Sequence, residues 1–122
     1  MTKFVKVASN YAVNAAAIKA VKAYDALDFL RTDSDVPAGA IVYSENRVEI
    51  PTPDGDKELV FVEYTLTLQL TATTFKSETV VDDVPVGAVV VEMMDGNVHL
   101  MPMHKADNDL AKILLKELGL DL

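Results

Sequence analysis

Asp35-Val36-Pro37-Ala38-Gly39-Ala40-Ile41-Val42 returns as Asp83-Val84-Pro85-Val86-Gly87-Ala88-Val89-Val90, with six of the eight positions identical. Each copy runs through a polar stretch into a second apolar one, Arg47-Val48-Glu49-Ile50 after the first and Asn97-Val98-His99-Leu100 after the second. Such a repeat describes architecture: two similar β-hairpins built into one small domain. In the first, a two-residue turn at Glu45-Asn46 sets Tyr43 opposite Val48 and Ile41 opposite Ile50, on one apolar face, with Val42 and Glu49 on the other. In the second, Asp95-Gly96 is a preferred hairpin turn and sets Met93 opposite Val98 and Val91 opposite Leu100. The apolar pairs of the two hairpins then correspond, although the second hairpin is the longer.

Between the copies, Thr52-Pro53-Asp54-Gly55 is the strongest local signal. Proline presets the turn, aspartate follows, and glycine accepts the left-handed conformation. A type I turn with a glycine bulge places Thr52 opposite Asp56 and Val48 opposite Val60. A long alternating strand follows. Val60, Val62, Tyr64, Leu66, Leu68, Leu70 and Ala72 point one way; Glu63, Thr65, Thr67, Gln69, Thr71 and Thr73 point the other. It exceeds the usual strand length, so it bends between two regions of sheet or projects past its own domain.

Outside the repeat, Ser9 is an N-cap for a helix running to about Arg31, with Ala17, Val21, Tyr24 and Leu27 on one stripe. Residues 3–8 offer a short strand before it. Alanine is dense from 12 to 23, which lets another backbone approach closely. A second helix runs from about Asn108 to Leu118, capped by Asp107, striped by Leu110, Ile113, Leu114 and Leu118, and ended by Gly119. The expected fold is therefore α+β: one domain over 1–122, an antiparallel sheet of about five strands with the duplicated hairpins (repeat 35–51 and 83–102), a long central strand and two flanking helices.

The 122 residues suit one core, and the absence of cysteine excludes disulfides and thiolate metal sites. No apolar run reaches the roughly 18 residues of a membrane span, and the polar Ser9, Asn10 and Asn14 argue against a secretory signal peptide. These features fit the cytoplasm or a virion. Net charge is −8 and uneven: residues 1–24 carry Lys3, Lys6, Lys19 and Lys22 and no acid, leaving seven basic against nineteen acidic side chains, or −12, in the remainder. An acidic body disfavours direct nucleic-acid binding. A basic end on an acidic body favours head-to-tail contact between copies, although acidity also serves solubility alone.

Candidate chemistry is thin. The run Met93-Met94-Asp95-Gly96-Asn97-Val98-His99-Leu100-Met101-Pro102-Met103-His104 collects thioethers and imidazoles that suit Cu(I), with His99, Met101 and Met103 on one strand face. Packing of the methionines and a Glu92–His99 cross-strand pair account for the same residues. Asp33 with Asp35, and Asp82 with Asp83, sit in solvated turns, and no serine lies in a nucleophile elbow. Asp54-Gly55-Asp56 lacks the spaced ligands of a calcium loop. No catalytic residue, metal ligand or cofactor is assigned.

The expected function is a non-enzymatic assembly module: a homo-oligomeric structural component of a large particle such as a virion, partnered by copies of itself or other protein subunits and not by nucleic acid or membrane. The interface candidates are Lys19, Lys22, Ala16 and Ala20 on the alanine-rich segment and Thr67, Gln69 and Thr71 on the long strand. Val36-Pro37-Ala38-Gly39-Ala40 resembles the residues leading into strands of phage head-decoration proteins, over five positions, too few to assign a family. Two other readings are a small acidic inhibitor of a host protein, imitating nucleic acid, and a small-molecule or metal-binding enzyme domain.

Overall fold

The computed structural model describes residues 3–31, 36–70, 75–81 and 83–120, with backbone alone at 75 and 76. In chain order the elements are β1 (Phe4–Ala8), β2 (Tyr11–Asn14), β3 (Ile18–Asp25), β4 (Ile41–Pro51), β5 (Lys57–Gln69), β6 (Phe75–Val81), β7 (Gly87–Met93), β8 (Val98–Met103) and α1 (Leu110–Glu117). Among the described residues, eight strands form three sheets, β1-β2, β3-β7-β8 and β4-β5-β6. The expected α+β plan of about five strands between two helices is overturned: the protein is mostly β, with one helix longer than a single turn among the described residues. The chain divides into two compact units, residues 1–28 with 85–122, and residues 29–84.

In the first unit the expected helix over 9–31 is replaced by strands. Ser9-Asn10 is a turn between β1 and β2, Ala15–Ala17 is a single 3-10 turn, and β3 pairs antiparallel with β7 from Ile18↔Met93 to Asp25↔Gly87. Only the alternative of a strand over 3–8 holds. Alanine favours helix by a few tenths of a kcal/mol per residue, a bias tertiary pairing readily overrides. β7 is buried along most of its length and needs a backbone partner on each side, which β3 and β8 supply. The core joins Val5 and Val7 of β1, Val13 of β2, Val89, Val91 and Met93 of β7, Met101 of β8, and Ala111, Leu114 and Leu115 of α1.

α1 starts later than expected, with Asp109 rather than Asp107 at its N-cap position, and Ile113 lies outside the buried stripe at 37% exposure. Its end is as read from the sequence. Gly119 takes φ +69°, its N–H bonds to Lys116 O at 3.1 Å, and Leu120 N–H bonds to Leu115 O at 2.9 Å. This is the double bond pattern of a Schellman cap. Lys3 donates from Nζ to the Glu117 carbonyl, placing a cation at the negative end of the helix.

In the second unit β4 runs unbroken through Glu45 and Asn46, so the expected hairpin turn there does not exist. β4 pairs instead with β5, with Ile41↔Leu68, Tyr43↔Leu66, Glu45↔Tyr64 and Arg47↔Val62. Segment 39–51 is one arm of a hairpin whose other arm is β5, and it is not a copy of 87–102. The turn at Thr52–Gly55 is as expected: Gly55 has φ +89°, Gly55 N–H bonds to Thr52 O at 3.0 Å, and Thr52 N–H bonds to Asp56 O at 2.6 Å. A bulge between Val48 and Glu49 leaves Val60 without a register partner, so Val48 faces Phe61 rather than Val60. The long strand ends at Gln69, and β6 returns along it from Gln69↔Phe75 to Glu63↔Val81. Residues 71–74, with Thr71, lie outside the described residues. Ile41, Leu66, Leu68 and Val36 are buried, and Leu30 adds a parallel bridge to Val42.

The β7–β8 hairpin closes on the same turn as β4–β5. Met93 N–H bonds to Asn97 O at 2.8 Å, Gly96 N–H bonds to Met93 O at 3.0 Å, and Gly96 has φ +92°. The loop is thus longer by one residue than a two-residue Asp95-Gly96 turn, and the register moves with it. Glu92 faces Val98, Val91 faces His99, and Val90 faces Leu100. Each phrase leads into a strand that ends in an Asp-Gly bulge turn, Ile41–Pro51 after the first and Gly87–Met93 after the second.

Candidate functional site

The difference in strand length creates the most distinctive surface of the second unit. β6 pairs with β5 only over Glu63–Gln69, whereas β4 pairs with β5 as far as Pro51↔Lys57. Among the described residues, 47–61 are therefore a two-stranded ribbon with no third strand paired beside it. Ile50 is 53% exposed, Leu59 48% and Val60 46%. The register puts Ile50 with Glu58 on one face and Leu59 with Glu49 on the other, so both faces of the ribbon carry an exposed aliphatic side chain. A two-stranded ribbon is marginally stable in water, and apolar side chains on both faces leave it no fully solvated side.

The ribbon is anchored at its root by aromatic rings. Phe29 and Tyr43 stack at 6.1 Å between centroids, Tyr43 and Tyr64 at 5.9 Å, and the Arg31 guanidinium lies 5.2 Å above the Tyr43 ring. Tyr43 hydroxyl donates to Glu45 Oε2 at 3.5 Å, and Arg47 Nε donates to Glu45 Oε1 at 3.0 Å. Partial burial, then the Glu45 carboxylate, raise the Tyr43 pKa, so its hydroxyl stays a donor beyond the usual phenol range. At the tip, the Thr52 hydroxyl and the Asp56 backbone N–H hold the Asp54 carboxyl below its usual range. The other side of the sheet carries a hydroxyl ladder, Thr65 with Thr79 at 3.3 Å and Thr67 with Ser77 at 3.1 Å.

The interface candidates named from the sequence fall in both units. Lys19, Ala20 and Lys22 are exposed on β3, an edge strand of its sheet, and Ala16 is exposed in the 3-10 turn, its N–H bonded to Asn14 Oδ1 at 3.0 Å. Lys19 Nζ lies 3.5 Å from Glu92 Oε1, and Lys22 Nζ lies 4.8 Å from the Tyr24 ring centroid. Thr67 belongs to the hydroxyl ladder, and Gln69 is buried at 9% exposure. The sequence places Ile50 opposite Ile41 in a first hairpin that does not form, and it singles out no role for Leu59; the structure sets Ile50 opposite Glu58 and Leu59 opposite Glu49. For Ile50 the alternation Arg47-Val48-Glu49-Ile50 is the available signal, whereas Leu59 opens the apolar run Leu59-Val60-Phe61-Val62, which carries none.

The methionine-histidine run is dispersed by the fold. Met93 and Met101 fill the core, Met94 is 68% exposed, and His99 lies beside Tyr11 with ring centroids 5.4 Å apart. The expected Glu92–His99 pair is excluded by the register, since Glu92 meets Lys19 instead. Among the described residues, no three of His, Asp or Glu gather as a metal site. His104 pairs with Asp109, Nδ1 to Oδ1 at 2.9 Å, with side-chain exposures of 15% and 8%. The Asp109 carboxylate is thereby turned away from capping α1. His104→Ala strands that carboxylate and should cost about 1–3 kcal/mol in urea unfolding. A loss below about 0.5 kcal/mol, the scale of an ordinary surface change, would mean the pair is not structural.

The chain matches no protein-family model, no curated protein and no solved structure.

Proposed function

We propose that this chain is a non-enzymatic assembly module that works as a homo-oligomer, as a structural component of a large particle such as a virion. The projecting ribbon carries this reading. Its exposed Ile50, Leu59 and Val60 gain burial only from something outside their own sheet. Charge supports it as well. Residues 29–84 hold four basic and eleven acidic side chains, so −7 of the net −8, while the N-terminal strands carry Lys3, Lys6, Lys19 and Lys22. The rest of the chain is nearly balanced at −1, so the N-terminal lysines of one copy can meet the acidic residues 29–84 of another without a strong opposing field, which helps to orient contact between copies.

Sedimentation velocity across concentration and salt tests the reading. The expected result is a mass above one chain that rises with concentration and falls as salt screens the charges. Lys19→Glu with Lys22→Glu should slow or weaken the association and leave the circular dichroism spectrum unchanged. A chain that stays monomeric at high concentration in low salt, and also inside any particle it is isolated from, defeats the assembly reading. The concentration of acid in residues 29–84 would then favour the small acidic inhibitor, recognised by competition with DNA for a nuclease or polymerase.

A further inference from the structure

We infer that the β4–β5 ribbon of one copy docks on the outward face of the β1–β2 hairpin of a second copy, around Phe4 and Lys6. The inference rests on the assembly reading and adds to it the two surfaces that meet. Val5 and Val7 of β1 point into the core, and Val13 of β2 joins them. The register therefore gathers Phe4, Lys6, Ala12 and Asn14 on the opposite face, with Phe4↔Asn14 and Lys6↔Ala12. Phe4 is 62% exposed, among the largest apolar side chains left open in the first unit, and Lys6 and Ala12 are exposed beside it.

The two surfaces complement each other in shape class and charge. The ribbon is an extended strand pair with exposed aliphatic residues and an acidic tip: Glu49, Asp54, Asp56 and Glu58 outnumber Arg47 and Lys57, giving −2. The receiving face is a strand pair with an exposed aromatic ring and a lysine, in the quarter of the chain that carries four lysines and no acid through residue 24. A ring flanked by small residues and a cation suits an aliphatic side chain flanked by carboxylates. β3 is the weaker receiver. Lys19 is already within ion-pair distance of Glu92, Lys22 already lies over Tyr24, and no large exposed apolar side chain stands between them. The contact is heterologous, because ribbon and receiver are different surfaces of the same chain. It therefore propagates from copy to copy and closes into a ring or extends as a filament.

Two variants of the full chain test it. Ile50→Glu with Leu59→Glu removes the ribbon's apolar contribution, and Phe4→Ser with Lys6→Glu removes the receiver. All four positions are exposed, and circular dichroism checks that each variant folds. Asp56→Lys with Glu58→Lys serves as a charge-only ribbon variant should the first prove unfolded. Each variant alone should lose about tenfold or more in association constant. An equimolar mixture of the ribbon variant and the receiver variant should form a 1:1 dimer and nothing larger, because one intact ribbon still meets one intact receiver. Lys6→Glu should be rescued by Asp56→Lys with Glu58→Lys on the partner copy.

Variants that assemble like the parent overturn the docking and leave the assembly reading standing. Loss in the ribbon variant with no dimer in the mixture also overturns it, since ribbon would then be meeting ribbon. A parent chain that is monomeric throughout defeats both.

Discussion

Leu66→Ala is expected to lower the unfolding free energy by about 2–5 kcal/mol, whereas Leu59→Ala, on the same strand, should change it by less than about 1 kcal/mol. The letters are equal and both lie on β5, but the surroundings differ. Leu66 is fully buried, with Tyr43 opposite it on β4 and Glu78 opposite it on β6. It belongs to the part of β5 that has a strand on each side. Truncation there removes transfer free energy and leaves a cavity that a three-stranded sheet collapses into poorly. Leu59 is half exposed in the ribbon and, among the described residues, pairs only with β4. Removing it from the isolated chain takes little from the core and should even ease the ribbon in water.

The chain has no tryptophan, so tyrosine fluorescence is the natural probe, with Tyr43 and Tyr64 in the affected sheet. Urea unfolding in dilute, monomeric conditions should shift the midpoint for Leu66→Ala and not for Leu59→Ala. Under assembling conditions the order should reverse in the association constant. Equal loss of stability from the two substitutions would mean the ribbon is not a separate arm, and the docking argument would lose its premise.

What could be read from the sequence follows the strength of the local chemistry. Gly55, Gly96 and Gly119 were legible because a positive φ after an aspartate or at a helix end has few chemical solutions. The alternation of Val62, Tyr64, Leu66 and Leu68 was legible because a half-buried strand repeats every second residue. The length of the Asp95-Gly96 loop was not. A two-residue turn and a three-residue loop with a glycine bulge share those letters, and the wrong choice moved His99 from Val91 to Glu92. Residues 71–74, Thr-Ala-Thr-Thr, contain none of the usual turn residues, so nothing marked β5 and β6 as separate strands. Ala15 to Ala23 suits a helix by propensity, yet Ala15–Ala17 forms a single 3-10 turn and Ile18 onward pairs with β7 as strand β3. The ribbon was visible merely as a strand that ran too long. Its place beyond β6 depends on a pairing no local signal announces.

The repeated phrase supplies the sharpest test of that distinction, because its glycines are the same letter in the same place for different reasons. Gly39 has φ +86° and open space where a Cβ would stand. It is needed for conformation, and alanine there should cost about 1–2 kcal/mol of left-handed strain. Gly87 has no positive φ. A Cβ there would sit 2.6 Å from the carbonyl oxygen of Tyr24, on the strand that pairs with β7. That oxygen is backbone and cannot swing aside, so Gly87→Ala must part β3 from β7. A cost of about 1–3 kcal/mol, toward or beyond the upper end, is expected. Amides of β3 should lose hydrogen-exchange protection with it. Asparagine separates the two causes: it tolerates the left-handed region, so Gly39→Asn should be milder than Gly39→Ala. The larger side chain makes Gly87→Asn at least as damaging as Gly87→Ala. If asparagine rescues both positions, or if Gly87→Ala leaves β3 as protected as before, the close approach of Tyr24 is not what requires glycine in the second phrase.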